Sequence, residues 1–187
     1  MTLNDLNIEI ISIKISLQGK DIYVVNCYIP PNTHSRLLPN GKNILENILL
    51  HLDYLEDVRS VDDEVILLGD FNLSKVDWLL SREDDAYLPT GEYSANVSNF
   101  LDNISCGGFW QTNPVKNRMG KSLVLVFVTD HGNVITERSP TELTDLDILH
   151  PPLLVTIGRD EENLPDHSGE TTYRLNFRRP DLDGITN

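Results

Sequence analysis

The chain has 187 residues, with 15 Lys+Arg against 29 Asp+Glu, a formal net charge of −14, and 40% hydrophobic and 24% charged residues. That length fits one domain, or one domain with a tail, and that composition excludes a disordered polypeptide. The longest apolar runs, Val65 to Leu68 and Leu123 to Val128, fall far short of the ~18 residues a membrane-spanning helix needs.

No basic segment followed by an apolar run opens the chain, so no secretory signal and no membrane association are expected. An intracellular location follows as the expectation, and no basic tract here argues for the nucleus over the cytoplasm. The two cysteines, Cys27 and Cys106, form no ligand-spaced cluster and read as buried thiols in a reducing compartment. The acid excess argues against non-specific nucleic-acid binding, which needs Lys and Arg to neutralise phosphates. Its distribution softens the objection. Between Asp53 and Glu92 stand 12 acids and 3 bases, whereas Gln111 to Ser122 carries Lys116, Arg118 and Lys121 with no acid. A locally basic loop can sit on an acidic body.

In chain order, Ile8 to Ile15 alternates as a strand. Gln18-Gly19-Lys20-Asp21 is a turn, and Ile22 to Ile29, rich in β-branched and aromatic residues, is a second strand stopped by Pro30-Pro31. The two predict an antiparallel hairpin. Asn32 to Gly41 is loop. Asn43 to Val58 carries Ile44, Leu45, Ile48, Leu49, Leu52 and Leu55 at helical spacing. The acids that follow it read as a solvated connection. Val65 to Leu68, ending at Gly69, suits a strand covered on both faces. A second helix is expected over Ser94 to Cys106, with Ser94 as cap, Val97, Phe100, Leu101 and Ile104 on one face, and Gly107-Gly108 as its stop. Leu123 to Val128 is a strand, Asp130-His131-Gly132-Asn133 a hairpin turn into Val134 to Thr136, and Leu153 to Ile157 a last strand after Pro151-Pro152. Beyond Gly158 the composition turns polar. Strands outnumber helices and the hairpins break a regular βαβ order, so the fold class is α+β.

The feature that best carries chemistry is Gly69-Asp70-Phe71-Asn72 at the end of the buried strand. A carboxylate there can hold a divalent cation or deprotonate a water, and an amide two residues on can orient that water or a phosphate oxygen. The bland alternative is a turn, since Asp and Asn after a strand cap loops in many proteins. Tyr28, ending an apolar strand, is more often an amphipathic core residue with a wet hydroxyl. His34, His51, His131 and His167 match no motif and read as surface or loop residues, while Trp78 and Trp110 read as packing residues.

Four segments in order change the weighting: Asn26-Cys27-Tyr28-Ile29-Pro30-Pro31, Gly69-Asp70-Phe71-Asn72, Leu123-Val124-Leu125-Val126-Phe127 and His150-Pro151-Pro152-Leu153. This succession resembles the endonuclease/exonuclease/phosphatase superfamily, in particular the endonuclease of insect-type non-LTR retrotransposons. Phe109 to Pro114, with Asn117 and Gly120 before the strand, is also similar to that family. Tyr173 to Asp181 resembles its connector to a reverse transcriptase. The resemblance implies an incomplete two-sheet β-sandwich flanked by helices over residues 1–158, and a polar connector over 159–187. It further implies DNA cleavage by metal-assisted phosphodiester hydrolysis with Mg²⁺ or Mn²⁺. Asp70 would activate water, Asn72 would position it, Tyr28 would contact the scissile phosphate and His150 would stabilise charge on the phosphoryl group. Lys116, Asn117, Arg118 and Lys121 would meet nucleic acid, and a reverse transcriptase would be a partner within a longer polyprotein.

Three departures accompany the resemblance. The family's first strands supply an Asn and a metal-binding Glu, yet only Asp5 and Glu9 precede Asp21 here. The aspartate that orients the family's histidine is Val124. The Ser-Asp-His ending is replaced by Leu146-Asp147-Ile148-Leu149-His150, where Asp147 is the candidate second metal ligand beside Asp70. Cation affinity depends on the number and placement of oxygen ligands, so weakened or lost hydrolysis is expected. The alternatives are a non-catalytic relic or binding module of the same fold, and a phosphodiesterase acting on a small molecule.

Overall fold

The computed structural model describes residues 9–17, 19–140 and 149–158. Asp147 and the 159–187 segment therefore lie outside the described residues. The expected hairpin is present: β1 (Glu9–Leu17) pairs antiparallel with β2 (Lys20–Tyr28) in a register that sets Glu9 opposite Tyr28 and Leu17 opposite Lys20. α1 (Ile44–Val58) begins at a capping box. The Asn43 side chain accepts from the Glu46 amide, and the Glu46 carboxylate accepts from the Asn43 amide, so two helix-end donors are satisfied reciprocally. The chain then returns as β3 (Glu64–Asp70), parallel to β2. A parallel neighbour requires such a crossover.

β4 (Asp77–Ser81) and β5 (Ala86–Thr90) form an antiparallel hairpin, followed by α2 (Ala95–Cys106), which is capped by Ser94, and by β6 (Trp110–Gln111). With β7 (Val124–Val128) these strands make one mixed sheet in the order β1-β2-β3-β7-β6-β5-β4. A second sheet holds β8 (Val134–Arg138) and β9 (Leu153–Ile157), paired antiparallel. The architecture is α+β.

Both faces of the central strands are covered, which explains their unbroken apolar runs. Towards the helices, Val25, Cys27, Val65, Leu67, Leu125 and Phe127 pack with Ile48, Leu52, Phe100 and Leu101. On the opposite face Val24, Ile66, Val126 and Val128 meet Val134, Leu153 and Val155 of the second sheet. An aromatic knot of Phe71, Phe100, Phe127 and Trp78, with ring centroids 5.5 to 6.4 Å apart, locks the β3 exit to α2, β7 and β4. Trp78 is thus a packing residue, as expected. No helix among the described residues is long and apolar enough to cross a membrane.

Two expectations are corrected. Asp130 to Asn133 is not a hairpin turn. A 3₁₀ turn at His131–Asn133 carries the chain from one sheet to the other. β7 is already hydrogen-bonded by β3 on one side and β6 on the other, so β8 has no free edge to join. Cys106 is exposed, whereas Cys27 is buried. It follows Ile104 by two residues, which turns it away from the face that α2 packs inward. Burial, reinforced by the charge of Asp70, pushes the Cys27 thiol up, so it stays protonated and inert.

Candidate active site

The site forms where β2, β3 and β7 end together. Tyr28 stands opposite Asp70 in the β2–β3 pair, and Val124 stands opposite Asp70 in the β3–β7 pair. All three lie in the row of residues that faces the second sheet, continuing Val24, Ile66 and Val126. β9 of that sheet is preceded by His150, which is how a residue eighty positions away reaches the end of β3.

Gly69 makes the turn from this strand sterically possible. Its φ is +145°, and a Cβ there would lie 1.8 Å from the Cys27 carbonyl oxygen on the neighbouring strand. Asp70 follows immediately. Its Oδ1 accepts from the Asn72 backbone amide at 3.1 Å and its Oδ2 from Asn72 Nδ2 at 2.8 Å. His150 Nε2 lies 3.1 Å from the same Oδ2. Asn72 Nδ2 also donates to the Ile29 carbonyl at 2.9 Å, and the Ile29 amide donates to the Asp70 carbonyl at 2.8 Å. Asn72 holds φ +50°, a left-handed conformation costly for a residue with a Cβ and retained here under several hydrogen bonds.

Asp70, Asn72 and His150 are therefore brought into direct contact. His150, expected to lose its carboxylate neighbour because position 124 is valine, has the Asp70 carboxylate 3.1 Å from its Nε2. Tyr28 is adjacent in register and 42% exposed.

The basic loop is tied to this site by polar residues that are themselves buried. Asn113 Nδ2 donates to the Val124 carbonyl at 2.7 Å, and the Asn113 amide donates to Gln111 Oε1. Asn117 is buried. Its Oδ1 accepts from the Met119 and Lys121 amides at 2.9 and 3.0 Å, and its Nδ2 points to the Leu149 carbonyl at 3.4 Å. Of the expected nucleic-acid contacts, Lys116 and Arg118 are exposed, Asn117 turns inward to shape the loop, and Lys121 Nζ pairs with Asp77 Oδ1 at 2.6 Å. Gln111 and Asn113 lie within the Phe109 to Pro114 segment, and neither belongs to a motif of its own. A run of uncharged polar residues between two apolar elements was the available signal.

A divalent cation of the Mg²⁺ type needs several oxygen ligands in fixed geometry. Among the described residues no group of three His, Cys, Asp or Glu side chains could hold one. Asp70 contributes one carboxylate whose two oxygens already accept from Asn72, with Oδ2 also 3.1 Å from His150 Nε2. The described donor set does not fit a cation held by protein alone.

No family model matches the chain, and no curated protein matches it. Among solved structures, an endonuclease/exonuclease/phosphatase family protein from Leptotrichia buccalis C-1013-b is similar at 19% identity and a TM-score of 0.38. The match covers 68% of this chain and 43% of that one, so this chain spans less than half of that protein's length.

Proposed function

We propose that this chain is a phosphodiester-directed domain of the endonuclease/exonuclease/phosphatase type. Within that class it is kin to the DNA endonucleases of insect-type non-LTR retrotransposons, with its hydrolytic power weakened or lost. The observation that carries this reading is the convergence of Asp70, Asn72 and His150, with Tyr28 in register beside them. An ionised carboxylate offers about four acceptor positions on its two oxygens. Asp70 therefore retains capacity to take a proton from an attacking water while held by Asn72. His150 faces the same point and suits the non-bridging oxygens of a phosphodiester, over which charge spreads as the bond breaks. Reduced activity follows from the donor set, because groups that act as a unit lose far more than their share when one is removed.

A nicking assay on supercoiled plasmid in Mg²⁺ or Mn²⁺, against Asp70→Ala, tests the reading. Nicking that disappears in the variant supports it. No nicking above the variant's background, from protein shown to be folded by circular dichroism, overturns the catalytic part.

A second reading, a non-catalytic nucleic-acid-binding module, is favoured by Val124 opposite Asp70 and by the exposed Lys116 and Arg118 on a loop pinned beside His150. Retention of a DNA duplex in a gel shift, weakened by Lys116→Ala with Arg118→Ala, would support it. In a longer polyprotein, a reverse transcriptase would follow the 159–187 segment.

A further inference from the structure

We propose that His34 is a positioning residue for Asp70, acting through the single peptide group between Phe71 and Asn72. The inference rests on the reading of Asp70 as the water-activating group. Nothing in the spacing of the sequence singles His34 out. It lies in the loop after Pro30-Pro31, where Thr33 Oγ1 donates to the Pro30 carbonyl at 2.6 Å and the Arg36 amide donates to the Thr33 carbonyl at 2.9 Å. This compact turn places His34 Nε2 at 2.9 Å from the Phe71 carbonyl oxygen. A carbonyl oxygen only accepts, so Nε2 carries the proton and Nδ1 is left facing away from this bond.

The peptide group is planar and trans, with its C=O and N–H pointing in opposite directions. Fixing the Phe71 oxygen therefore fixes the direction of the Asn72 N–H, and that N–H is the donor to Asp70 Oδ1 at 3.1 Å. Hydrogen bonding at the oxygen also polarises the amide and strengthens its N–H as a donor. On the other side of the same peptide, the Phe71 ring is fully buried in the aromatic knot and resists rotation of the turn. The left-handed φ of Asn72 needs such restraint from both directions. His34 thus aims the carboxylate without touching substrate.

The test compares the wild-type full chain with His34→Ala and with His34→Gln, whose amide can donate to the same carbonyl. Two readouts are taken: plasmid-nicking kinetics, and ¹H–¹⁵N NMR of the Asn72 amide and the His34 ring. The expected wild-type ring is protonated at Nε2. In His34→Ala the Asn72 amide proton shifts upfield and exchanges on the order of tenfold faster, as for one lost hydrogen bond. The nicking kcat falls on the order of tenfold with KM unchanged, as for a misaimed group. His34→Gln recovers most of both effects. An Asn72 amide indifferent to His34→Ala, a ring protonated only at Nδ1, or a glutamine variant no better than alanine overturns the proposal. A wild type that does not nick removes the catalytic reading of Asp70, and the Asn72 amide then decides alone whether His34 aims it.

Discussion

Val124 stands directly opposite Asp70 across the β3–β7 pair, so an apolar side chain lines the spot best placed to give Asp70 a second carboxylate. Residues opposite one another on antiparallel strands share a face at roughly 4.5–5.5 Å between Cβ atoms. Val124→Asp would therefore set two carboxylates side by side. In EDTA the like charges should destabilise the fold by about 0.5–1 kcal/mol. Millimolar Mn²⁺ should reverse the loss, because a ligand that binds only the folded state stabilises it by mass action. Thermal denaturation with and without Mn²⁺ reads both effects, and the same variant should nick plasmid faster than wild type. A melting temperature that Mn²⁺ leaves unmoved would show that position 124 cannot complete a cation site.

Asn72 combines two opposing contributions that substitution can separate. Its side chain bonds Asp70 and the Ile29 carbonyl, which stabilises the turn, whereas its φ of +50° strains it. Asn72→Ala removes the bonds and keeps the strain, so a loss of about 2–3 kcal/mol is expected. Asn72→Gly removes the bonds and relieves the strain, and should lie about 1 kcal/mol above the alanine variant. Urea denaturation of the three proteins gives the ordering. Equal stability of the two variants would mean that the left-handed conformation carries no cost here. Both should lose nicking activity, since the Asp70 carboxylate loses its side-chain donor in each.

Gly69 permits no side chain. The would-be Cβ meets backbone at 1.8 Å, and the Cys27 oxygen it meets cannot swing aside without breaking the β2–β3 ladder. Gly69→Ala is expected to cost more than about 4 kcal/mol, the range of exceptional single substitutions. It should express as unfolded or aggregated protein. Recovery of a soluble variant with the wild-type circular dichroism spectrum would show that the strand ends differently.

The parts of the fold that were legible in the sequence are those where periodicity follows from burial. The β1–β2 hairpin, both helices, and the doubly covered β3 and β7 all follow from apolar spacing, and the Ser94 cap of α2 from its residue type, whereas the Asn43–Glu46 capping box of α1 emerges only from the structure. β4 and β5 do not, because Leu79, Leu80 and Leu88 on this sheet edge are exposed and break the alternation on which strands are recognised. The turn at Asp130 to Asn133 has hairpin chemistry. What makes it a crossover is that β7 has neighbours on both sides, a fact of topology that no local window contains. The same holds at the site. Asp70 and Asn72 were visible as a strand-end motif, and His150 through the resemblance. His34 was not, because its contact with Phe71 spans 37 positions and involves a backbone atom that every residue possesses.

Two half-buried titratable groups should shape stability in mildly acidic solution with opposite signs. His51 on α1 bonds Ser12 on β1 at 2.6 Å, and burial pulls its pKa below the usual 6.5. A histidine kept neutral in the fold binds fewer protons there than in the unfolded chain. Stability from it is complete above about pH 6.5 and is lost as the pH falls below that value. Glu64 at the start of β3 is pushed above 4.5, first by burial and then by the charge of Asp130, against a smaller opposing pull from Lys20. Its folded form holds the proton more tightly than the unfolded chain does, so its contribution runs the other way and stability falls as the pH rises upward from about 4.5. His51→Gln, which can still accept from Ser12, should flatten the loss just below pH 6.5. Glu64→Gln should raise stability at pH 7 by less than about 1 kcal/mol, since the group is partly solvated. Urea midpoints measured from pH 4 to 8 separate the two. A His51→Gln curve parallel to wild type below pH 6.5 would mean that the imidazole is as well hydrated in the fold as out of it.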